Sequence, residues 1–231
     1  MTPLVFLPGM MCDARLFAPQ IAAFSVDRAV QVAPIGGADN VADLAAEVLA
    51  HAPPRFALAG LSMGGIVAME AFRQAPDRID RIAFLDTNPK AEADAVAKGR
   101  EPQIARAKAG ELRTIMRDEM KPRYLADGPN RAAILDLCMD MADALGPEVF
   151  VRQSHALQTR PDQQDTLRQI EVPTLALCGR EDTLCPIHRH ELICSLVSSA
   201  TLEIIDGAGH LPTLEQPDAT NAALNRWLEI S

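Results

Sequence analysis

The sequence predicts an α/β fold: a mainly parallel, six-stranded sheet with helices on both faces and a helical cap insertion. Apolar runs of strand length alternate with helical patterns through the first ninety residues, and the alternation resumes after residue 165. Such alternation is typical of a parallel sheet that is covered on both faces. Between the two stretches only helical patterns occur. We therefore expect a core formed by residues 1–89 and 166–231, with a lid or cap formed by residues 90–165.

Composition narrows the class of protein. The 231 residues include 48% hydrophobic and 23% charged residues, which is typical of a soluble globular protein, and one main domain is the default at this length. The formal charge of −9 argues against nucleic acid or an anionic membrane surface as a partner. No segment is long and apolar enough to span a membrane, and the N-terminus lacks the basic start of a signal peptide.

The cysteines and histidines give little indication of a metal site. The chain has five cysteines, an odd number, and no C-x-x-C pair, so neither a disulfide framework nor a zinc site is indicated. His188 and His190 are two positions apart on a predicted helix, so they do not share a face as joint metal ligands would. We expect reduced thiols, a cytoplasmic location, and no metal or organic cofactor.

The first ninety residues contain four strand patterns, at residues 3–7, 29–33, 56–60 and 81–86. A helix is predicted after Asp39 and Asn40, because both residue types cap helix N-termini and apolar residues then recur at helical spacing. A second helix is predicted directly after Ser62. Its apolar residues are dense enough that we expect it to be buried on most sides.

The second part of the chain begins with the insertion. Ala, Glu, Arg, Met and Leu dominate there, in segments that break at Gly110, Gly128 and Gly146. We expect three or four short helices from this pattern. Strand patterns return at residues 173–178 and 200–205, each followed by a helix.

The most informative motif is Gly-Leu-Ser-Met-Gly at residues 60–64, which follows an apolar run and opens a helix. A serine at a sharp strand-to-helix turn adopts strained backbone angles, and the glycines on either side leave room for that turn. The helix N-terminus supplies unpaired N–H groups and a partial positive charge, which suit a developing oxyanion. Ser62 is therefore the candidate nucleophile.

A serine hydroxyl needs a nearby base, and a carboxylate must hold that base in the right tautomer. His210 lies in a small-residue loop after the last predicted strand, from which it can reach the crevice where open α/β sheets bind ligands. Asp182, after the fifth strand, and Asp86, at the end of the fourth, compete for the role of the acid. We favour Asp182 because the turn from Gly179 is short and polar and a helix restarts just beyond it; Asp86 remains the second candidate.

The order Ser62, Asp182, His210 is that of the α/β-hydrolase fold, and here the chain resembles that superfamily. The resemblance extends from Leu4 to about Trp227. Four motifs carry it: Leu7-Pro8-Gly9-Met10, Gly60-Leu61-Ser62-Met63-Gly64-Gly65, Gly179-Arg180-Glu181-Asp182 and Gly207-Ala208-Gly209-His210. The sequence is similar to the small, lid-bearing esterase and C–C hydrolase group, whose insertion follows the sixth strand of the fold.

The resemblance implies that Ser62, Asp182 and His210 form a catalytic triad. It also implies that the backbone N–H groups of Met10 and Met63 form an oxyanion hole. Two features depart from the family pattern. Members usually have His-Gly where this chain has Pro8-Gly9, a change that main-chain donors tolerate. The family's first two strands are also missing, so six strands are expected in place of eight.

The function that the resemblance implies is hydrolysis of an ester, thioester or similar activated carbonyl of a small acyl substrate, through an acyl-enzyme. The alternative is C–C bond cleavage or a lyase reaction on a small carboxylated substrate. A third option is an acyl-carrier or coenzyme A ester, with an acidic carrier docked on Arg113, Arg117 or Arg123 of the cap. A ligand receptor with little turnover is a separate class. Substrate identity and oligomeric state stay open.

Overall fold

The fold, in a computed structural model that describes residues 1–230, is a six-stranded sheet in the order β2-β1-β3-β4-β5-β6. Every neighbouring pair of strands is parallel, so the predicted α/β class is confirmed. The strands are β1 (Leu4–Leu7), β2 (Val30–Val32), β3 (Phe56–Leu61), β4 (Ile79–Leu85), β5 (Thr174–Gly179) and β6 (Ala200–Ile205).

Helices connect these strands and cover both faces of the sheet. They are α1 (Ala18–Phe24), α2 (Val41–His51), α3 (Met63–Gln74), α4 (Asp94–Arg106), α5 (Leu112–Thr114), α6 (Arg131–Gln158), α7 (Gln164–Leu167), α8 (Ile187–Leu196), α9 (Pro212–Glu215) and α10 (Pro217–Glu229). Helix α2 starts where the sequence predicts, because the Asn40 side chain accepts the Asp43 N–H at 2.8 Å. None of the helices in residues 1–230 has the length and hydrophobicity needed to cross a bilayer.

The segment between β4 and β5 is helical, and its breaks lie at the glycines named above. Gly110 has a φ of +91° and ends the run that begins with α4. Helix α6 is longer than any helix that the sequence predicts there, but it is kinked at Gly146, where φ is +80°, so it packs as two shorter helices. That residues 90–165 form a separate cap remains a prediction.

Two apolar layers hold the helices against the sheet. Successive strand residues point to opposite faces, so Leu58 and Phe84 pack with α2 and α3, whereas Ala57 and Ala59 pack on the other side, where Trp227 of α10 is fully buried. A strand that is buried on both faces has a continuous run of apolar residues in its sequence, and β3 is an example.

The parallel sheet brings the ends of distant strands to one edge. Met10 follows β1, Ser62 follows β3, Asp86 follows β4, Asp182 follows β5 and His210 follows β6. Because the carboxyl ends of parallel strands lie together, these five residues meet at the same edge of the sheet.

Candidate active site

Ser62 lies in the sharp turn between β3 and α3. Its backbone has a φ of +56° and a ψ of −115°, a strained conformation for a residue other than glycine. The turn is possible because a Cβ on Gly60 would lie 2.3 Å from the Gly64 carbonyl oxygen, and one on Gly64 would lie 2.1 Å from the carbonyl oxygen of Leu7. Only glycine fits such close backbone approaches, which explains both glycines of the motif.

Ser62, His210 and Asp182 form one chain of hydrogen bonds. His210 Nε2 lies 2.8 Å from Ser62 Oγ, and His210 Nδ1 lies 2.8 Å from Asp182 Oδ2. Asp182 Oδ1 accepts the N–H groups of Leu184 and Cys185 at 2.7 and 3.0 Å. Burial opposes ionisation of Asp182, but the facing imidazole and these N–H donors hold the pKa of its carboxyl below the usual range. The carboxylate is therefore ionised at neutral pH and orients the imidazole.

Asp86, the competing carboxylate, lies beside Asp182 but does not contact His210. It is fully buried, and its Oδ1 accepts the Gly179 N–H at 2.9 Å. Burial, followed by the neighbouring Asp182 charge, raises the pKa of Asp86 well above the usual range. The structure thus brings Asp182 to the histidine, whereas the surroundings of Asp86 favour its neutral form.

The loop that carries His210 is fixed by a residue that the sequence analysis missed. The Glu215 carboxylate accepts the N–H groups of Gly209 and Leu211, which flank His210 on either side, at 2.9 to 3.0 Å. The His210 N–H donates to the Tyr124 carbonyl oxygen at 2.6 Å, and the Tyr124 ring lies edge-on to the imidazole. Glu215 follows His210 by only five positions, so its place just after the histidine loop is the sequence feature that could have identified it.

A second supporting residue is His190, which the sequence analysis considered only as a metal ligand. Its Nε2 accepts the Thr87 N–H at 3.1 Å, and the Thr87 hydroxyl donates to the Ser62 carbonyl oxygen at 2.7 Å. Burial lowers the pKa of His190 to about 4, so the ring is neutral and can act as the acceptor. Through Thr87, His190 thereby stabilises the turn that carries Ser62.

The N–H groups of Met10 and Met63 are the predicted oxyanion donors, and both residues line the cavity at Ser62. Neither N–H has a hydrogen-bond acceptor among the residues that the structure describes. The loop after Met10 is held by Gln153 of α6, whose Oε1 accepts the Met11 N–H at 2.9 Å while its Nε2 donates to Ile35 at 3.0 Å. Met11 has a φ of +54°, so this contact fixes a strained loop.

The cavity at Ser62 has a volume of about 580 Å³, which suits a small organic ligand. Residues of both the core and the proposed cap line it, among them Ser62, His210, Arg100 and Tyr124. A second cavity of about 550 Å³ lies between α2, α3 and the segment around Gln163. None of Ser62, Asp182 and His210 lines it, so the candidate site is the cavity at Ser62.

The three arginines predicted to contact an acidic carrier lie in different surroundings. Arg113 is exposed and paired with Asp143, and Arg117 is exposed and paired with Asp118 at 2.6 Å. Arg123 instead lines the cavity at Ser62. Of the three, only Arg123 therefore lies at the cavity.

One group of three potential metal ligands occurs within residues 1–230: Asp182, Cys185 and His210, whose donor atoms lie within 4.8 Å of one another. The hydrogen bond from His210 Nδ1 to Asp182 uses two of these three groups. A metal ion bound here would have to compete with that bond. Burial raises the pKa of the Cys185 thiol well above the usual range, which further disfavours the thiolate that a metal needs.

Comparison with known proteins shows the family to which the chain belongs. The sequence matches the Alpha/beta hydrolase family over residues 4–223. It is similar to a pimeloyl-[acyl-carrier protein] methyl ester esterase of Aliivibrio salmonicida, at 24% identity over 98% of this chain and 92% of the relative. A thermophilic esterase structure from Thermogutta terrifontis with malate bound is similar at a TM-score of 0.90 and 25% identity, covering 99% of this chain and 89% of that one.

An enol-lactonase structure from Burkholderia xenovorans LB400 has the same fold, with a TM-score of 0.87 at 21% identity over 100% of this chain and 92% of that one. The family match covers nearly the whole chain, including the segments that carry Ser62, Asp182 and His210. The chain therefore belongs to the alpha/beta hydrolase family, and it is a hydrolase.

Proposed function

We propose that this protein hydrolyses carboxylic esters of small acyl substrates, with Ser62 as nucleophile, His210 as general base and acid, and Asp182 as the group that orients His210. The observation that carries the proposal is the chain of two 2.8 Å hydrogen bonds from Ser62 Oγ through the imidazole to the Asp182 carboxylate. This arrangement activates a hydroxyl that is otherwise a weak nucleophile at neutral pH.

In the first half of the proposed reaction, Ser62 Oγ attacks the ester carbonyl carbon and its proton passes to His210 Nε2. The carbonyl oxygen becomes an oxyanion that accepts hydrogen bonds from the N–H groups of Met10 and Met63. One such donor typically lowers the barrier by about 3 to 4 kcal/mol. The bond from carbon to the alcohol oxygen then breaks, the alcohol takes the proton from His210, and an acyl-enzyme remains.

In the second half, water attacks the acyl-enzyme and gives its proton to His210. The bond to Ser62 Oγ breaks, and the serine takes that proton back, so the products are a carboxylic acid and an alcohol. Asp182 stabilises the imidazolium that forms in each half without itself taking a proton. The cycle returns every group to its starting state.

A named relative supports ester hydrolysis. A similar relative bears the name of a methyl ester esterase that acts on an acyl-carrier protein substrate. We extend ester hydrolysis to this chain, and an acyl-carrier or coenzyme A ester is the second class of substrate that we propose.

We propose that residues 90–165 act as the cap, because Arg100 and Tyr124 line the cavity together with Ser62. A cytoplasmic location is proposed from the five free cysteines.

The test is turnover of p-nitrophenyl butyrate by the Ser62→Ala variant. We expect kcat to fall by about 10³-fold or more, because the nucleophile is removed while the fold is kept. Ser25→Ala, which truncates an exposed serine, is the matched control and should keep full activity. Normal esterase activity in Ser62→Ala, or no labelling of the unmodified protein by a fluorophosphonate, would refute the proposal and favour a low-turnover receptor.

A further inference from the structure

The cavity at Ser62 has a charge opposite to that of the whole chain. The chain carries −9, yet cations outnumber carboxylates in the cavity lining. The charged residues that line it are Lys90, Arg100, Arg123, Arg160 and Arg189, with Glu92 and Glu119. Clefts lined by one sign of charge attract ligands of the other sign. The lining therefore favours an anionic ligand.

A buried cluster of two arginines around one glutamate forms the centre of this charge. Glu92 Oε2 accepts from Arg100 Nε at 3.0 Å and from Arg100 Nη2 at 2.8 Å, while Glu92 Oε1 lies 3.1 Å from Arg160 Nη2. The side chains of Arg100, Glu92 and Arg160 are only 16%, 6% and 9% exposed. One carboxylate neutralises one guanidinium, so a positive charge stays uncompensated in a poorly hydrated place.

Arg160 forms an ion pair with Glu92, but one of its buried N–H groups, that of Nε, has no hydrogen-bond acceptor among the described residues. Burial lowers the pKa of Arg160; the Glu92 charge opposes this shift, whereas the neighbouring Arg100 and Arg189 act in the same direction as burial. Buried polar groups normally find partners, and a buried charge without one is costly. A bound anion would supply the missing acceptor.

The remaining charges of the lining do not cancel this excess. Arg189, on α8, makes no ion pair with any residue from 1 to 230, whereas Glu119 is already paired with Arg106 outside the lining. The cluster also lies close to the reacting groups, since Arg100 Nη1 is 3.9 Å from Met10 Sδ. Met10 carries one of the proposed oxyanion donors. An anion bound by the cluster would therefore belong to the same small molecule as the ester.

We propose that Arg160, Arg189 and the Arg100–Glu92 pair form a carboxylate-binding subsite, so that the substrate is a small ester that also carries a free carboxylate. This inference rests on the proposed esterase function and names the substrate class of that site. Planar guanidinium groups match carboxylates in paired hydrogen bonds. Arg100 already donates two N–H groups to one oxygen of the Glu92 carboxylate. The cavity volume fits a small molecule of this kind.

The experiment compares monomethyl adipate with methyl hexanoate, which differ only in a carboxylate in place of a terminal methyl group. We expect kcat/KM to be about tenfold or more higher for monomethyl adipate, mainly through KM, because the anion adds binding that the neutral ester lacks. Arg160→Gln and Arg189→Gln should each lower this ratio by about tenfold. Arg160→Gln leaves the neutral Arg100–Glu92 pair, and Arg189 has no ion-pair partner to lose in residues 1–230, so both variants should fold.

Arg55→Gln is the matched control, because Arg55 is exposed, pairs with Asp80 and precedes β3 at the opposite edge of the sheet. It removes the same charge and should leave the ratio unchanged. If the unmodified enzyme hydrolyses methyl hexanoate through Ser62 but shows no preference for monomethyl adipate, the esterase function stands and the carboxylate subsite is refuted.

Binding to the Ser62→Ala protein separates the two proposals further, because it needs no turnover. Calorimetric titration should show monomethyl adipate binding about tenfold or more tightly than methyl hexanoate, with the difference removed by Arg189→Gln. That result without any esterase activity would keep the subsite and overturn the esterase function. Equal binding of the two esters would overturn the carboxylate assignment. So would a result in which inorganic phosphate displaces monomethyl adipate more strongly than adipate does.

Discussion

At the scale of single residues, Asp182 and Asp86 show how surroundings assign roles to identical side chains. Both carboxyls are buried at the same edge of the sheet. Asp182 faces the imidazole and two N–H donors, which stabilise its charge, whereas Asp86 has one N–H donor and the charge of Asp182 beside it. Two neighbouring carboxylates seldom ionise together, and here the surroundings favour the anion at Asp182 and the neutral acid at Asp86.

This difference predicts opposite outcomes for two matched substitutions. Asp182→Asn should lower kcat by about 10³ to 10⁴, because the amide no longer stabilises the imidazolium or fixes its tautomer. Asp86→Asn should keep kcat within about tenfold, because an amide oxygen can accept the Gly179 N–H as the neutral acid does. Asparagine also tolerates the φ of +44° at this position. The measurement is kcat on p-nitrophenyl butyrate, with circular dichroism to verify folding.

A loss in Asp86→Asn as large as that in Asp182→Asn would contradict this division of roles. It would mean that Asp86 takes part in the reaction as an ionised group. The sequence alone left both aspartates open, because it gives their order along the chain and not which carboxylate reaches His210.

Residues that support the site were harder to predict than those expected to react. Ser62 and His210 lie in local glycine-rich motifs, and each motif follows a recognisable strand. Gln153, in contrast, contacts Met11 across 142 positions of sequence, and His190 contacts Thr87 across 103. Such contacts depend on how α6 and α8 pack, and no local pattern encodes that packing.

At the scale of elements, the strands could be predicted more closely than the helices between β4 and β5. The strands of the core were predictable to within about two residues, because burial on both faces leaves continuous apolar runs. The pattern predicts that β4 starts at residue 81, whereas it starts at Ile79, because Asp80 interrupts the apolar run. Within the helical segment, the breaks at Gly110 and Gly146 were predictable, but not the long kinked α6 that joins across Gly146.

The β3–α3 turn predicts a large cost for Gly60→Ala. The added Cβ would lie 2.3 Å from the Gly64 carbonyl oxygen, a backbone atom that cannot move without shifting α3. We expect the free energy of unfolding to fall by about 3 kcal/mol. Urea denaturation measures this change, and a loss below about 1 kcal/mol, smaller than overpacking usually costs, would show that the turn can relax.

Gly99→Ala is the control for that measurement. Gly99 lies inside α4, and an added Cβ there would have no heavy atom within 4 Å. The substitution should raise the free energy of unfolding by about 0.5 to 1 kcal/mol, because alanine favours the helix. The two glycines therefore predict changes of opposite sign.

At the scale of the whole molecule, net charge and local charge carry different information. The formal charge of −9 concerns the outer surface and long-range association, and it argues against nucleic acid as a partner. The cavity at Ser62 nevertheless collects cations from α4, α8 and the loop after α6. These positions are distant in sequence, so composition could not reveal that they converge.

The pH dependence of global stability follows from two buried groups. The pKa of His190 falls from 6.5 to about 4 by burial. Burial opposes ionisation of Glu70, yet hydrogen bonds from Arg73, Gln74 and Gln163 lower its pKa from 4.5 to about 2. Both values are lower in the folded state, so each group contributes stability above its unfolded pKa and loses it as pH falls.

The free energy of unfolding should therefore decline by on the order of 3 kcal/mol between pH 6.5 and 4 through His190, and by on the order of 2 to 3 kcal/mol between pH 4.5 and 2 through Glu70. His190→Gln should remove the first decline, because an amide oxygen can accept the Thr87 N–H without titrating. Glu70→Gln should remove the second. Urea denaturation across this pH range measures both.

The difference in the free energy of unfolding between each variant and the unmodified protein isolates His190 or Glu70 from the other titrating groups. Burial raises the pKa of Asp86 and Glu215, so these carboxyls act with the opposite sign, but they are present in every variant and cancel in the difference. If His190→Gln kept the full decline between pH 6.5 and 4, the pKa of His190 would be the same in the folded and unfolded protein, and the folded protein would carry a charged ring over that pH range. The hydrogen bond from Thr87 would then be absent, and with it the support that His190 gives to the turn carrying Ser62.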